Sequence, residues 1–468
     1  MFNLRHFTPK KPTCNRFFAP LSRLAKVRRH NDSGLHLKAL AKGLLIALAW
    51  VFSCHSSIAT EVSASGSAVL ASQEPALSWQ DAITRTLAEN PSLKALGYQL
   101  SAQAGRVQQA GLKPNPELAL SLEDALGSGD FKGMDKTETS VTISWVLEGS
   151  VRNQRVKAAE ARTSVLEVEQ DIQRIDAAAT TARIYITALA LQTRLEQTDE
   201  ATTLARNVLK VIDARVKAGK APSAEAARAK VDLSRRLLAH EDVEHEFAVA
   251  LRQLSAQWGA KEVGFAQVRG NIFTLPEATP YSELQRKLNE NPRLDYFVTS
   301  ERWEESQLAL AKAQTQAQWR VSAGVKHLSA TNDQALLAGL SVPLNVFDRQ
   351  QGRMAEARAN MELNRAEGEA ERVRLDAAIF GLHQELLHSL HIIKSYRKDI
   401  LPSLESALDD TRRAYDLGRY SYLEWQAVQR EFLEAKSTLV EACVAAHLKA
   451  IEIERLTGVA LTAHAQDK

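Results

Sequence analysis

Apolar positions along this chain follow two periods, and the two alternate in an order that occurs twice. In ELALSLE, Leu118, Leu120 and Leu122 fall on one side and Ala119, Ser121 and Glu123 on the other. In VTISWVL, Val141, Ile143, Trp145 and Leu147 oppose Thr142 and Ser144. WRVSAGVKH sets Trp319, Val321, Ala323 and Val325 against Arg320, Ser322, Gly324 and Lys326. LLAGLSVPLNV sets Ala338, Leu340, Val342 and Leu344 against Gly339, Ser341, Pro343 and Asn345. A period of two with one apolar side predicts four strands, two in each half of the chain.

Elsewhere the period is helical. No Gly or Pro interrupts Val151 to Ala218, which predicts one helix of roughly 100 Å at about 1.5 Å per residue. Within it Val165, Val168, Ile172, Ile175, Ala179, Ala182, Ile186 and Leu189 recur in steps of three and four, the seam of a coiled coil. A turn at Gly219 to Pro222 predicts an antiparallel return over Ser223 to Trp258. The second half repeats the plan around Gly418, with Arg419 to Thr457 unbroken. Its outgoing arm carries Gly368 and Gly381 and ends at Pro402, so a kink or interruption is expected there.

The repetition extends to words. LAENPSL at Leu87 returns as LNENPRL at Leu288, Gly219 is answered by Gly418, and LSAQWG by IERLTG. A spacing near 200 residues is too long for a solenoid unit and predicts two duplicated halves, 77–270 and 280–461, with a tail at 462–468.

Charge changes the picture only at the start. The first 42 residues hold ten Lys and Arg against the single acid Asp32, and GLLIALAWVFS follows. This is the secretory-signal pattern, placing residues 1–59 outside the mature fold. Cleavage after Ser57-Ile58-Ala59 competes with a lipoprotein reading in which Cys54 carries lipid. Without the ten bases and one acid of residues 1–54 the formal charge falls from +3 to −6, so the net positive charge argues for no nucleic-acid partner. Cys14, Cys54 and Cys443 offer no disulfide framework within the mature body, and Cys443 reads as a core filler.

Four strands do not close a barrel, since the smallest membrane barrels have about eight, and lipid tolerates no open edge. Several chains must therefore pool their strands, or the sheet is an ordinary soluble one. The polar face would line water with Glu123, Thr142, Arg320 and Lys326.

The residues that carry a resemblance are LAENPSL with AGLKPNPELALSLE, WVLEGSVRNQRVKAAEA, GLSVPLNVFDRQQGRMAEARA, the two glycine tips, and LSAQWG with IERLTG. Together they resemble the TolC family of outer-membrane efflux proteins, most of all its cobalt–zinc–cadmium branch, over about Leu77 to Leu461. The resemblance implies a mainly helical protein with membrane β-structure and helix–strand–strand–helix–helix halves. It implies a homotrimer, whose 12-stranded barrel in the outer membrane of a Gram-negative bacterium continues as a long periplasmic α-barrel. It also implies two partners, a periplasmic adaptor and an inner-membrane pump of the resistance–nodulation–division (RND) class. The adaptor-docking tip would be Gly219, Lys220, Ala221 and Pro222 with Gly418, Arg419, Tyr420 and Ser421, and the gate Glu424 with Tyr422. Ala427 departs from the family's pattern of a second acid, implying a weaker or differently placed charge ring.

No P-loop, G-x-G-x-x-G, H-E-x-x-H or G-x-S-x-G is present, so neither an enzyme nor a cofactor is expected. His388 with His391, His240 with Glu244, and Glu241 with His245 share helix faces, but none assembles a full ligand set. Two alternatives stay open: the same channel serving drugs, and a periplasmic coiled-coil scaffold.

Overall fold

The computed structural model describes residues 76–458. The leader, Cys54 and the tail lie outside the described residues. The first half runs α1 (Trp79–Glu89), α2 (Pro91–Ala110), β1 (Glu117–Glu123), β2 (Glu138–Leu147), α3 (Val151–Lys217) and α4 (Ser223–Ala256). The second runs α5 (Tyr281–Leu288), α6 (Pro292–Gln314), β3 (Trp319–Leu328), β4 (Asp333–Ser341), α7 (Gln351–Ser395), α8 (Leu401–Asp416) and α9 (Tyr422–Thr457).

Each half is a pair of antiparallel rods, and the echoed Asn-Pro words explain how. Asn90 caps α2 by accepting from the amides of Ser92 and Leu93 (2.8 and 3.2 Å). Its side-chain amide also donates to the carbonyl of Gln257 at the end of α4, 2.7 Å away. Asn291 does the same in the second half, capping α6 through Arg293 N–H (2.7 Å) and donating to the carbonyl of Leu456 near the end of α9. One side chain thus serves both an exposed helix N-terminus and an exposed C-terminus. The glycines after α4 and α9 complete the joint. Gly259 and Gly458 are left-handed (φ +78° and +69°), and an added Cβ would come within 3.1 Å of Pro91 Cγ or 3.3 Å of Pro292 Cδ. The 20 residues of α2 and the 34 of α4 therefore stack end to end, head to tail in dipole, beside the 67 of α3.

The expected seam is a graded one. Val165, Ala179, Ala182, Ile186 and Leu189 are buried, while Val168, Ile172 and Ile175 are half-buried. The expected break in the outgoing arm of the second half comes at neither glycine. α7 continues through Gly368 and Gly381, and Gly368 lets α7 approach Phe297 of α6. Tyr396–Ile400 instead form a π-helical turn in which Leu401 N–H donates to Tyr396 C=O. Pro402 has no N–H to offer the carbonyl four residues back and its ring crowds it, so the backbone takes up the wider spacing just ahead.

Two cores hold the rods. The larger girdles the middle, where Leu77, Ile83, Leu254, Phe265, Ile272, Ile379 and Val440 pack around α3. Leu77 forms a parallel bridge to Val268 there, and the buried Tyr185 hydroxyl donates to the carbonyls of Leu77 and Arg269 (3.0 and 2.5 Å). Asp176 on α3 takes Arg293 of α6 (2.7 Å) and Arg455 of α9 (2.9 Å), tying the halves together. The smaller core lies at the far end of the rods and belongs to the site.

The strands form one antiparallel sheet in the order β1-β2-β3-β4. The outer edges of β1 and β4 have no strand partner among the described residues. β4 stops at Ser341, two residues before Pro343, so Val342 and Leu344 fall outside the ladder.

Candidate functional site: a polar sheet face and the rod tips

Register sorts the sheet into two chemistries. Leu120, Val141, Val325 and Leu336 form one transverse row, and Trp145, Val321 and Leu340 another. This apolar face is bare: Leu118, Leu120 and Leu336 are 74, 74 and 88% exposed. The opposite face carries all four residues expected to line the lumen, Glu123, Thr142, Arg320 and Lys326. Arg320 pairs with Glu117 and reaches Ser144 Oγ (3.3 Å), Lys326 pairs with Glu138, and the Ser121 and Ser140 hydroxyls share a 2.6 Å hydrogen bond. Gly324 lets β2 and β3 approach closely on this face. A Cβ on Gly324 would lie 2.4 Å from the carbonyl of Val141 and 2.5 Å from Thr142 Cγ2. The strands are 7 to 10 residues long, near the 9–11 that span a membrane when tilted. An apolar belt outside, a polar lining inside and two raw edges suit a wall segment of a membrane pore.

At the other end the two turns are copies. Gly219 (φ +68°) and Gly418 (φ +74°) end α3 and α8 in the left-handed region. Lys220 N–H reaches back to Arg215 C=O (2.8 Å), and Arg419 N–H to Ala414 C=O (2.9 Å). The helices that follow start differently. Pro222 begins α4 without a side-chain cap, whereas Ser421 and Glu424 form a capping box on α9. The Glu424 carboxylate accepts from Ser421 N–H (2.7 Å) and hydroxyl (2.9 Å), and these bonds hold it below the usual carboxylate range. Lys220, Arg419 and Tyr420 are exposed at the turns. Tyr422, expected at the gate, lies beneath its turn at 1% exposure, and burial pushes its hydroxyl up to about 12.

Beneath the turns Tyr422 meets Trp425 edge-on (6.3 Å), and Trp425 stacks on Tyr415 (5.2 Å), with Val208, Ile212 and Ala229 closing the cluster. Here the first half grips the second. Arg215 lies 4.5 Å over the Tyr415 ring and donates to its carbonyl (3.2 Å), while the Tyr415 hydroxyl donates to Glu225 (3.4 Å). Arg215, Tyr415 and Trp425 were not singled out from sequence. The available signal was the 199-residue offset, which pairs Glu225 with Glu424 and places Tyr415 three residues before its tip glycine.

His388, His391, Glu244 and His245 gain no partner that would complete a metal site, and His240 Nδ1 lies 3.1 Å from the Thr198 hydroxyl. Among the described residues no group of three or more His, Cys, Asp or Glu is placed to hold a metal ion.

Sheet and rods together define a class, an outer-membrane efflux channel subunit with a large periplasmic helical part. Residues 82–260 match the family model described as outer membrane efflux protein. It is 25% identical over 386 residues to the cobalt-zinc-cadmium resistance protein CzcC of Cupriavidus metallidurans, covering 82% of this chain and 90% of that protein. It is 23% identical over 298 residues to the nickel-cobalt-cadmium resistance protein NccC of Alcaligenes xylosoxydans xylosoxydans, covering 62% and 67%. Among solved structures, CusC superposes with a TM-score of 0.67 at 15% identity, over 82% of this chain and 92% of that one. The outer membrane protein VceC of Vibrio cholerae gives 0.64 at 16% identity, over 81% and 96%.

Proposed function

We propose that three copies of this chain close one 12-stranded barrel, and that their rods form a single tunnel leading to it from the periplasm. The sheet carries this reading: one subunit presents an apolar face to lipid but leaves both edges unpaired, and a closed ring of subunits removes them. The tips around Gly219 and Gly418 receive a periplasmic adaptor, and an RND pump in the inner membrane supplies the energy. The duct itself does no chemistry. The bonds from Arg215 and Glu225 to Tyr415 hold the tip shut, and Glu424 contributes charge there. Cys54, if it is retained, anchors lipid to each subunit.

The cargo is proposed to be divalent heavy-metal cations, a reading supported by CzcC and NccC, whose names state resistance to such metals. The test is a deletion strain complemented by the intact gene. Loss should sensitise cells to zinc, cobalt or cadmium and spare their tolerance of dyes. Equal sensitisation to dyes would favour the drug-efflux alternative, and extraction by carbonate without detergent would favour the scaffold.

A further inference from the structure

At a buried polar position the two halves differ in chemistry. At the 201-residue offset of the Asn-Pro caps, Gln103 of α2 answers Glu304 of α6, and Ala159 of α3 answers Asn360 of α7. Gln103 is buried, and its amide donates to the Ala159 carbonyl at 2.8 Å. Glu304 is buried to 8% exposure and accepts from Asn360 Nδ2 at 3.2 Å. No cation pairs with it among the described residues. From α7, Arg353 is engaged by Gln314 (3.1 Å) and Arg365 by Glu301. From α3, Arg162 lies 5.0 Å over the Trp303 ring and pairs with Glu169 at 3.5 Å. On α6 itself, Arg302 and Glu305 are exposed. Of the charges of α7 that share its cavity, Glu356 has the same sign, and Arg353 makes no ion pair with Glu304. Glu304, Glu356, Arg353, Gln307, Gln314 and Asn360 line a cavity of about 390 Å³ between α6 and α7.

We propose that Glu304 is a proton-binding carboxyl that keeps α6 seated on α7 when neutral and loosens that seam when ionised. The neutral acid is close in shape to the amide that the first half uses at this place. The anion is costly there, because burial strips its water and no base forms an ion pair with it. Burial raises the carboxyl above its usual range; the hydrogen bond from Asn360 pulls it part of the way back, and the nearby Glu356 adds a smaller push upward. The folded chain therefore binds this proton more tightly than the unfolded chain does. The resulting stability is fully present below the ordinary carboxyl value and is lost as pH rises through the raised one.

The test uses the full-length protein in detergent and the E304Q variant, whose side chain copies Gln103. Infrared difference spectra should show a protonated carboxyl band that persists in the wild type above the range of surface carboxylates, about pH 4 to 5. The band should be absent from E304Q, and its midpoint should fall in E356Q. Thermal melts of wild type and E304Q should converge near pH 4 and separate by several degrees near pH 8, with E304Q the more stable. A wild-type spectrum without that band would overturn the proposal, as would melts separated equally at both pH values. So would zinc or calcium that raises the pH 8 melt of wild type alone, since a metal would then meet the charge in place of a proton.

Discussion

At the scale of single residues, the informative side chains are those that serve two partners at once. Asn90 caps α2 and holds the end of α4, and Asn291 does both in the second half. Replacing either with Ala removes a cap worth about 1 kcal/mol and an interhelical hydrogen bond worth about 1 more. A loss of roughly 2 kcal/mol is expected in denaturant unfolding, with Asn90→Ser recovering part of it through the cap alone. Glycine separates two outcomes in the same way. Gly324→Ala forces a methyl against the Val141 carbonyl and should abolish the folded barrel band on unheated gels, whereas Gly352→Ala meets nothing within 4 Å and should leave it intact. The Asn-Pro words were visible in the sequence as a repetition. Their purpose was not, because the carbonyl that Asn90 binds lies 167 residues away.

At the scale of elements, legibility followed period. α3 could be read from end to end because nothing in it breaks a helix, and the four strands because each alternates, although the alternation around Pro343 carried the reading of β4 past its end at Ser341. The π-helical turn could not be read, because a change of hydrogen-bond spacing leaves the apolar pattern almost unaltered. The sequence offers Pro402 beside the two glycines as a place for a break, and the change of spacing falls at the proline, with the helix continuing beyond it as α8. Pro402→Ala returns the missing N–H to the backbone. Amide exchange through 396–402 should then slow, and an unchanged rate would mean that some other contact imposes the turn. The tip makes a second prediction. Tyr415→Phe removes the hydroxyl bond to Glu225 and keeps the ring on Trp425 and under Arg215. Single-channel conductance in planar bilayers should rise without loss of melting temperature. The gripping residues escaped the sequence reading because they belong to different halves: Arg215 and Tyr415 are 200 positions apart and share no motif.

At the scale of the whole molecule, the sequence showed that one subunit offers too few strands to seal itself, which is a matter of counting. It did not show how the halves are bound. That task falls to Asp176, which takes an arginine from α6 and another from α9. Asp176→Asn should weaken the junction of the halves more than either tip. Limited proteolysis should then cut first in the link between α4 and α5, and cleavage confined to the tips would contradict this. The bare sheet has a further consequence for how the protein is made. A freshly exported copy carries an oily surface and two adhesive margins into a watery, crowded compartment before any wall exists to receive them. Cells producing it faster than finished pores form should therefore accumulate clumped material and draw on periplasmic chaperones in proportion to the surplus.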